Sequence, residues 1–472
     1  MTNLAVQLKN ESSRECFYNF TEDLINSVEN DVSMNSLTDI TNELFQKRTD
    51  LTGLLARSII ESKFSDLLNQ EYHECPVCRK RLKARGEKVH REILTMIGPI
   101  KLFRPYFYCT KCRAGYYPFD EAVGIAAGKI QPDVRELEAW LASEEPYASA
   151  AETFRRSTGI DISAHHIHEA ANGIAGDLEI SDVAPTKGQV ESLISELGEG
   201  KFRRPIMMLG IDGAYAPTRP EPSERSEKRG PGEWKEVKGF RLYLVGEKRI
   251  VHLVSWHQIE SDRQLASDLE KLKNAGLIPE ETVRLCVIAD GASWIWNRVR
   301  ELFPEAKLVL DYYHCSEYLH SLSNAQFGKE SQEGREWVEA ILSKLFHNRI
   351  EEALEDIKGL KATSDEAKEE KEKTFRYLTK RKDKINYGAA RRGGYDIGSG
   401  AIESSNKFIS NVRLKKSGAW WYPSCANNIL KLRCAKYNGT FDKIMDSYKK
   451  KFTDGKSECV AAPKIRLVVD NT

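Results

Sequence analysis

Long apolar segments are missing from this sequence. No hydrophobic run approaches the length of about 18 residues that a transmembrane helix needs. The amino terminus also lacks the basic segment followed by an apolar stretch that is typical of a secretory signal peptide. These absences argue against a membrane or exported protein, and we expect a soluble chain in the cytoplasm.

Net charge is almost absent as well. The 71 Lys and Arg residues nearly cancel the 70 Asp and Glu residues, which leaves a formal charge of +1. The cancellation hides a basic segment, because residues 371–451 contain 20 basic and 6 acidic residues, a local balance of +14. Such an excess predicts contact with a polyanion, although a solvated helical face is the common alternative.

Cysteine is neither rare nor abundant, with ten in 472 residues, and six of the ten follow no pattern. The other four form two Cys-x2-Cys pairs, Cys75 with Cys78 and Cys109 with Cys112. Four thiolates at this spacing complete the closed tetrahedral shell of a structural Zn²⁺, with bonds of about 2.3 Å. The sequence between the pairs favours β-structure, so we expect a zinc ribbon. A catalytic zinc would need an open position that four protein ligands do not leave.

A helix-turn-helix pattern follows between residues 147 and 167. Gly159 suits the turn, Ser163 is a candidate N-cap of the second helix, and Ile167 would face the core. The pattern predicts DNA binding, with an ordinary helical hairpin as the alternative. The second helix would present two histidines outward, His165 and His166.

Two apolar segments end in the same dipeptide. Residues 206–211 run into Asp212-Gly213, and residues 283–289 run into Asp290-Gly291. Each predicts a buried strand that delivers a carboxylate to one edge of a sheet, where α/β folds place their chemistry. The alternative is that Asp-Gly only forms a turn after each strand.

The order of elements around these acids is three strands, a helix, a strand, a helix and a strand. This order resembles the ribonuclease H-like core of DDE transposases, in which acids follow the first and fourth strands and a Glu lies on a later helix. The closest resemblance is to Mutator-like insertion-sequence transposases, where a helical insertion precedes the Glu. Asp311-Tyr-Tyr-His314 matches a further motif of that group. The resemblance covers roughly residues 205–437.

The resemblance implies a catalytic triad of Asp212, Asp290 and Glu403. Asp212 would bridge two Mg²⁺ or Mn²⁺ ions about 4 Å apart, while Asp290 and Glu403 would each anchor one of them. Asp311 competes with Glu403 for the third position, because 113 positions separate Asp290 from Glu403. His314 and Asp311 would support the site or cap the following helix.

Basic residues flank Glu403 on both sides and are expected to contact DNA. They are Arg391, Arg392, Lys407, Arg413, Lys415 and Lys416. The implied partners are the terminal inverted repeats of an element, target DNA and further copies of the chain in a homo-oligomer.

The predicted fold class is therefore multidomain α/β. The expected parts are a helical region at 1–70, the zinc ribbon at 71–130, the helix-turn-helix at 131–182, the ribonuclease H-like core at 205–437 and a tail at 438–472. A helical insertion at about 315–390 interrupts the core. The leading hypothesis is a DNA transposase of an insertion sequence. A non-catalytic DNA-binding regulator and a structure-specific nuclease such as a junction resolvase remain as alternatives.

Overall fold

The structure is a computed structural model that describes residues 12–125, 128–221 and 231–453. The chain divides into two compact units. The first consists of residues 1–174 and 445–472, and the second of residues 175–444. Both contain helices and strands, in agreement with the predicted α/β class. Within the described ranges, no helix is long and apolar enough to cross a membrane.

The first unit begins with the helical region that the sequence predicts. Ser36 caps the longest of these helices by a reciprocal arrangement, since its hydroxyl accepts the Asp39 amide and the Asp39 carboxylate accepts the Ser36 amide. Apolar side chains of this region pack around Phe119 and two following strands. The helices are α1 (Ser13–Asn30), α2 (Leu37–Lys63) and α3 (Ser65–Leu68).

Six short strands come next and pair as three antiparallel hairpins. The turn of the first hairpin, β1–β2, contains Cys75 and Cys78. In the third hairpin, β5–β6, Cys109 is the last residue of β5 and Cys112 lies in the turn that follows. A bridge between Ala84 and Phe107 links these two hairpins. The strands are β1 (Tyr72–Glu74), β2 (Arg81–Lys83), β3 (Val89–Thr95), β4 (Gly98–Arg104), β5 (Phe107–Cys109) and β6 (Ala114–Tyr116), followed by α4 (Pro118–Val123).

Three helices complete the first stretch of this unit, and two of them form the predicted helix-turn-helix. Gly159 ends the earlier helix in the left-handed region, with φ at +67°, where a residue without a Cβ is favoured. The Ser163 hydroxyl accepts the His166 amide at 3.2 Å, which confirms the predicted cap, and Ile167 is buried. The helices are α5 (Pro132–Glu144), α6 (Tyr147–Thr158) and α7 (Ala164–Ala175).

The second unit is built on a five-stranded mixed sheet. Its strand order is β11-β10-β7-β8-β9, in which β7, β8 and β9 are antiparallel neighbours and β7, β10 and β11 are parallel. The elements from the start of this unit are α8 (Ile180–Val183), α9 (Lys187–Gly198), β7 (Ile206–Thr218), β8 (Glu233–Val245), β9 (Ile250–Gln258), α10 (Asp262–Asn274), β10 (Arg284–Ala289), α11 (Ser293–Leu302) and β11 (Lys307–Leu310).

One predicted feature of this sheet is wrong. β7 does not end before Asp212 but continues to Thr218, because β8 pairs with it over that whole length, up to Thr218 opposite Glu233. Asp212 therefore lies within a strand, and no turn follows it. The strands on the other side, β10 and β11, stop at Ala289 and Leu310, so the parallel part of the sheet ends beside Asp212.

The predicted helical insertion follows β11. Asp311 caps its first helix, since one carboxylate oxygen accepts the His314 amide at 2.7 Å. The helices are α12 (Tyr312–Phe327), α13 (Gln332–Phe346), α14 (Ile350–Gly359), α15 (Asp365–Thr379) and α16 (Tyr387–Gly393), with a 3-10 turn at Lys382–Lys384.

The C-terminal helices return to the sheet. A π-helical segment, Asn406–Asn411, lies between α17 (Gly400–Ser405) and α18 (Val412–Leu414), and α19 (Pro423–Tyr437) and α20 (Phe441–Thr453) follow. The predicted tail at 438–472 thus begins with a helix, and its residues after 453 lie outside the described part. The same holds for residues 222–230 of the loop between β7 and β8.

Candidate active site at an acidic edge of the mixed sheet

Asp212 and Asp290 are lateral neighbours in the sheet. β7 and β10 pair in parallel, with Ile211 opposite Ala289, so the next residue on each strand is an aspartate. Neighbouring strands lie about 4.8 Å apart. The two carboxylates that the sequence analysis singled out therefore lie side by side.

The carboxylate of Asp212 is partly buried and hydrogen-bonded. One of its oxygens accepts the Asn406 amide nitrogen at 2.7 Å, and the other accepts its neighbour's backbone N–H, from Gly213, at 2.8 Å. Burial raises the pKa of Asp212 to about 6, and the negative charge of Asp290 adds to this increase, while His314 and the hydrogen bonds oppose it. A raised pKa in a carboxylate pair is typical of sites that bind a cation or exchange a proton.

Asp290 is positioned by its own turn and by the helical insertion. Its side chain accepts the Ala292 amide at 2.8 Å, and its carbonyl accepts the indole N–H of Trp296 at 2.9 Å. The guanidinium of Arg381, from the insertion, donates to the Gly291 carbonyl. These contacts hold the loop that follows β10 in one conformation.

The helix that carries Glu403 lies directly on β7. A Cβ at Gly210 would lie 3.0 Å from the Cβ of Ile402, so a glycine is what allows this close approach. Arg241 on β8 donates to the Ala401 carbonyl at 2.8 Å, which fixes the start of the same helix. Glu403 precedes Asn406 by three residues, a spacing that places both side chains on one helical face. Because Asn406 contacts Asp212, Glu403 is brought to the same edge.

Asp311 lies at this edge too, but its environment is that of a structural residue. It follows β11, which pairs in parallel with β10, and its side chain is fully buried. One oxygen accepts the His314 amide, and the other accepts the Ser399 amide at 2.5 Å. Because both of its oxygens accept backbone N–H groups, Asp311 fixes the segment that precedes Glu403. In that segment, the Ser399 hydroxyl donates to the Glu403 carboxylate.

His314 lies in the first turn of α12, three residues after Asp311. Its side chain is 41% exposed and lies 3.3 Å from a carboxylate oxygen of Glu317. Its positive charge, when protonated, lowers the pKa of Asp212. The structure places Asp212, Asp290, Asp311 and His314 on or just after three neighbouring strands, and Glu403 on the helix that packs on β7.

The three proposed carboxylates do not form a compact ligand group by themselves. Among the described residues, the groups of three or more potential ligand atoms within 4.8 Å of one another do not include them.

Several residues that position this site were missed by the sequence analysis. Asn406, Arg241, Ser399 and Arg381 all contact the acids or the segments that carry them. The helical spacing from Glu403 would have indicated Asn406. The contacts of Arg241 and Arg381 connect residues 160 and 90 positions apart, which no local pattern reports.

The four cysteines form a compact cluster in the first unit. Their sulfur atoms all lie within 4.8 Å of one another, with 3.8 Å between Cys75 and Cys112 and 3.6 Å between Cys78 and Cys109. A tetrahedron with metal–sulfur bonds of about 2.3 Å has edges of about 3.8 Å. Disulfide bonds would require about 2.05 Å. The cluster is thus shaped for a tetrahedral metal.

The two turns of the cluster share a backbone geometry. Arg79 and Arg113, each directly after the second cysteine of a pair, adopt left-handed conformations with φ of 59° and 54°. Burial opposes ionisation of Cys75, yet the Cys78 amide and the Tyr116 hydroxyl donate to it and lower its pKa to about 6. The backbone N–H of Cys112 lowers the pKa of Cys109 as well, whereas hydrogen bonding to Cys78 and burial raise the pKa of Cys112 to about 12.

The basic residues expected to contact DNA fall into two groups. The exposed group matches the expectation of a cationic surface and comprises Arg391, Arg392, Lys407, Lys415, Lys416, His165 and His166. Arg413 differs, because it is only 2% exposed and its guanidinium lies 4.7 Å from the centre of the Trp421 ring. Packing against that ring, and not exposure to solvent, determines the position of Arg413.

Comparison with known proteins places the chain in a family. A profile described as "Uncharacterised protein family (UPF0236)" matches residues 36–451. A similar protein, the "UPF0236 protein in vanSb 3'region" of Streptococcus gallolyticus, is 22% identical over 361 residues, which cover 75% of this chain and 74% of that protein.

Two solved structures are also similar. The Drosophila P element transposase strand transfer complex matches with a TM-score of 0.25 and 11% identity, over 71% of this chain and 85% of that one. The Mos1 strand transfer complex matches with a TM-score of 0.15 and 12% identity, over 53% and 76% of the two chains. Because the family profile matches residues 36–451, which make up most of the chain, the chain belongs to the UPF0236 family.

Proposed function

We propose that this chain is a DNA transposase that cleaves and joins DNA strands with divalent metal ions held by Asp212, Asp290 and Glu403. The observation that carries the proposal is the placement of the acids. Asp212 on β7 and Asp290 directly after β10 are neighbours, and the helix of Glu403 is tied to Asp212 through Asn406.

The order of elements supports this assignment. Along the chain, three antiparallel strands are followed by a helix, a strand, a helix and a strand, the order on which the ribonuclease H-like resemblance rests, and the two later strands pair in parallel with β7 and with each other. Under the proposal, the acids fall on the first and fourth strands and on a late helix, as they do in DDE transposases. The helices α12–α16 then form the insertion before the Glu.

The chemistry explains why several carboxylates are needed. Attack on a phosphodiester places negative charge on the entering and leaving oxygens, and two Mg²⁺ or Mn²⁺ ions can neutralise both. Carboxylate oxygens are the ligands that these hard cations prefer. Asp212 would help to hold the ions in its ionised form, which a bound cation favours over the protonated form. Asp290 and Glu403 would each hold one ion.

DNA binding is assigned to two parts of the chain. The helix-turn-helix presents His165 and His166 on its second helix, and the exposed basic residues near Glu403 supply a polyanion-binding surface. The four-cysteine cluster would hold a structural Zn²⁺ that keeps the β-hairpins around it folded. Terminal inverted repeats and target DNA are the proposed partners, with the chain acting as a homo-oligomer.

Strand joining is the assay that separates this proposal from its alternatives. The substrate is a labelled duplex that carries the repeats flanking the coding region, mixed with a plasmid target and Mg²⁺. We expect cleavage at the repeat and a covalent joint product. Cleavage without joining would favour a structure-specific nuclease, and binding without either reaction would favour a non-catalytic DNA-binding regulator.

A further inference from the structure

An aromatic surface extends beyond the acidic edge on the arm formed by β7 and β8. After Asp212, the two strands continue as an antiparallel ribbon to Thr218 opposite Glu233. Two large aromatic side chains of this ribbon are exposed, Tyr215 by 55% and Trp234 by 58%. Exposed rings that lie close together form a patch of the kind that marks an interaction site.

The strand register places these rings on one face of the arm. Tyr215 is opposite Glu236 and Pro217 is opposite Trp234, so Tyr215 and Trp234 are diagonal neighbours on the same side. Trp420 joins them, because a Cβ at Gly232, two residues before Trp234, would collide with its ring. Trp420 is 41% exposed.

The segment that carries Trp420 is attached to the arm by backbone hydrogen bonds. The Arg219 amide donates to the Trp421 carbonyl at 2.8 Å, and the Trp421 amide donates to the Pro217 carbonyl at 3.1 Å. The Trp421 indole N–H donates to the Leu414 carbonyl at 3.1 Å. This anchoring fixes Trp420 beside the ribbon, together with the loop that holds Lys415 and Lys416.

The charges around the rings favour a polyanion. The guanidinium of Arg219 lies 5.9 Å from the centre of the Trp420 ring, and Lys415 and Lys416 are exposed nearby in the chain. The acids of the ribbon are compensated, since Glu233 pairs with Lys235 at 3.1 Å and Glu236 pairs with Lys238.

We propose that Tyr215, Trp234 and Trp420 form a stacking surface for unpaired bases of a DNA strand whose backbone is held by Arg219, Lys415 and Lys416. Every base has a π-face, so rings flanked by cations bind single strands with little dependence on sequence. From Tyr215 to Arg219 the strand rises about 13 Å, room for two or three splayed bases. The choice of DNA as ligand rests on the proposed function.

The surface and the acidic edge lie on opposite faces of the same strand. Tyr215 lies three residues beyond Asp212, about 10 Å along β7, and side chains an odd number of residues apart point to opposite faces of a strand. A DNA strand bound on the rings would therefore lie beyond the acids, on the other face of the arm.

The test is the affinity of the full chain for a fluorescein-labelled oligothymidylate, measured by anisotropy without added Mg²⁺ or Mn²⁺. Trp234→Ala and Tyr215→Ala should each raise the Kd about fivefold or more, since stacking of one base is worth about 1–3 kcal/mol. Phe202→Ala is the matched control, because that ring is fully exposed in the loop before β7 and lies off the arm. The control should change the Kd less than twofold.

Two outcomes would overturn the proposal. One is an unchanged Kd in the double variant of Tyr215 and Trp234 when its thermal melting is that of the wild type. The other is a wild type that sediments as a dimer and a Trp234→Ala variant that sediments as a monomer but keeps its DNA affinity. That outcome would make the arm an interface between copies. Because no metal is added, failure of the nuclease chemistry cannot produce either result.

Discussion

At the scale of single residues, burial decides which acids can do chemistry. Asp311 is fully buried and gives both of its oxygens to backbone N–H groups. Asp212 keeps partial exposure, and burial together with Asp290 raises its pKa to about 6. A carboxylate whose ionisation is opposed by its surroundings stores unfavourable energy that a bound cation can relieve.

The raised pKa of Asp212 makes a prediction about stability and pH. Its protonated form is favoured in the folded chain, so this contribution to stability is present below the unfolded pKa of about 4 and is lost as pH rises through about 6. Asp212→Asn does not titrate. Without added Mg²⁺ or Mn²⁺, the variant should be more stable than the wild type at pH 7.5, by on the order of 2 kcal/mol, and the gain should shrink toward pH 4.5.

Thermal melting at the two pH values measures this effect. Glu247→Gln is the matched control, because that side chain is 76% exposed in the turn between β8 and β9. Adding Mg²⁺ should raise the melting temperature of the wild type and of the control more than that of Asp212→Asn. A gain that grows on acidification, or equal responses to Mg²⁺, would contradict the assigned cause of the pKa shift.

At the scale of elements, local signals in the sequence predicted much of the architecture. The spacing of the cysteine pairs indicated the hairpins, Gly159 with Ser163 indicated the two helices joined by a turn, and the apolar runs before Asp212 and Asp290 indicated the order of strands and helices along the chain. These features depend on residues close together in the chain. They could therefore be recognised one segment at a time.

What the sequence did not predict depends on distant partners. β7 continues past Asp212 because β8 supplies hydrogen bonds as far as Glu233. Arg413 is buried because Trp421 returns over it. The roles of Asn406 and Arg241 follow from the packing of α17 on the sheet. Catalytic candidates could be listed from the sequence, but the side chains that position them could not.

The four-cysteine cluster carries a prediction at this scale. The purified chain should contain about one zinc ion, since sulfur atoms at tetrahedral separations bind this ion tightly. Cys75→Ser with Cys112→Ser should abolish the zinc and lower the melting temperature of the first unit. Cys425→Ser, outside the cluster, should keep the metal. Metal analysis that finds less than about half an ion per wild-type chain would refute the zinc assignment.

The exposed basic loop that contains Lys415 and Lys416 carries a second prediction at this scale. Lys415→Ala with Lys416→Ala should weaken binding to random duplex and reduce the slope of log affinity against log salt by about 2, because each phosphate contact contributes about 0.9. Lys248→Ala with Arg249→Ala is the control, in an exposed turn at the opposite end of the sheet from the acids. An unchanged slope in the first pair would leave these lysines as part of a solvated face.

Arg413→Ala should behave differently from that pair. Its guanidinium packs over Trp421 and is almost excluded from solvent, so its loss removes packing and leaves the surface charge available to DNA nearly the same. We expect a lower melting temperature with an unchanged salt slope. The contrast separates an interior cation from a surface one.

At the scale of the whole molecule, the proposed recognition of DNA ends and the proposed chemistry fall in different units, and the second unit would also contact DNA through its basic residues and its aromatic arm. The cysteine cluster and helix-turn-helix belong to the first unit, and the acidic edge with its flanking basic residues belongs to the second. A net charge of +1 conceals this division, because the basic excess lies in residues 371–451. Recognition of a DNA end and cutting of it can then be altered separately by substitutions.

The central claim is that Asp212, Asp290 and Glu403 act as one metal site, and its most direct test is Mg²⁺-dependent cleavage of end-bearing DNA under single-turnover conditions. Asp212→Asn, Asp290→Asn and Glu403→Gln should each reduce the rate by about 10³-fold or more, since metal-borne charge stabilisation is worth several kcal/mol. Each variant must keep wild-type melting, apart from the stabilisation expected for Asp212→Asn, and wild-type end affinity. Asp311→Asn should chiefly lower the melting temperature. Full activity in Glu403→Gln with none in a folded Asp311→Asn would contradict the assignment, and full activity in all four would refute the nuclease function.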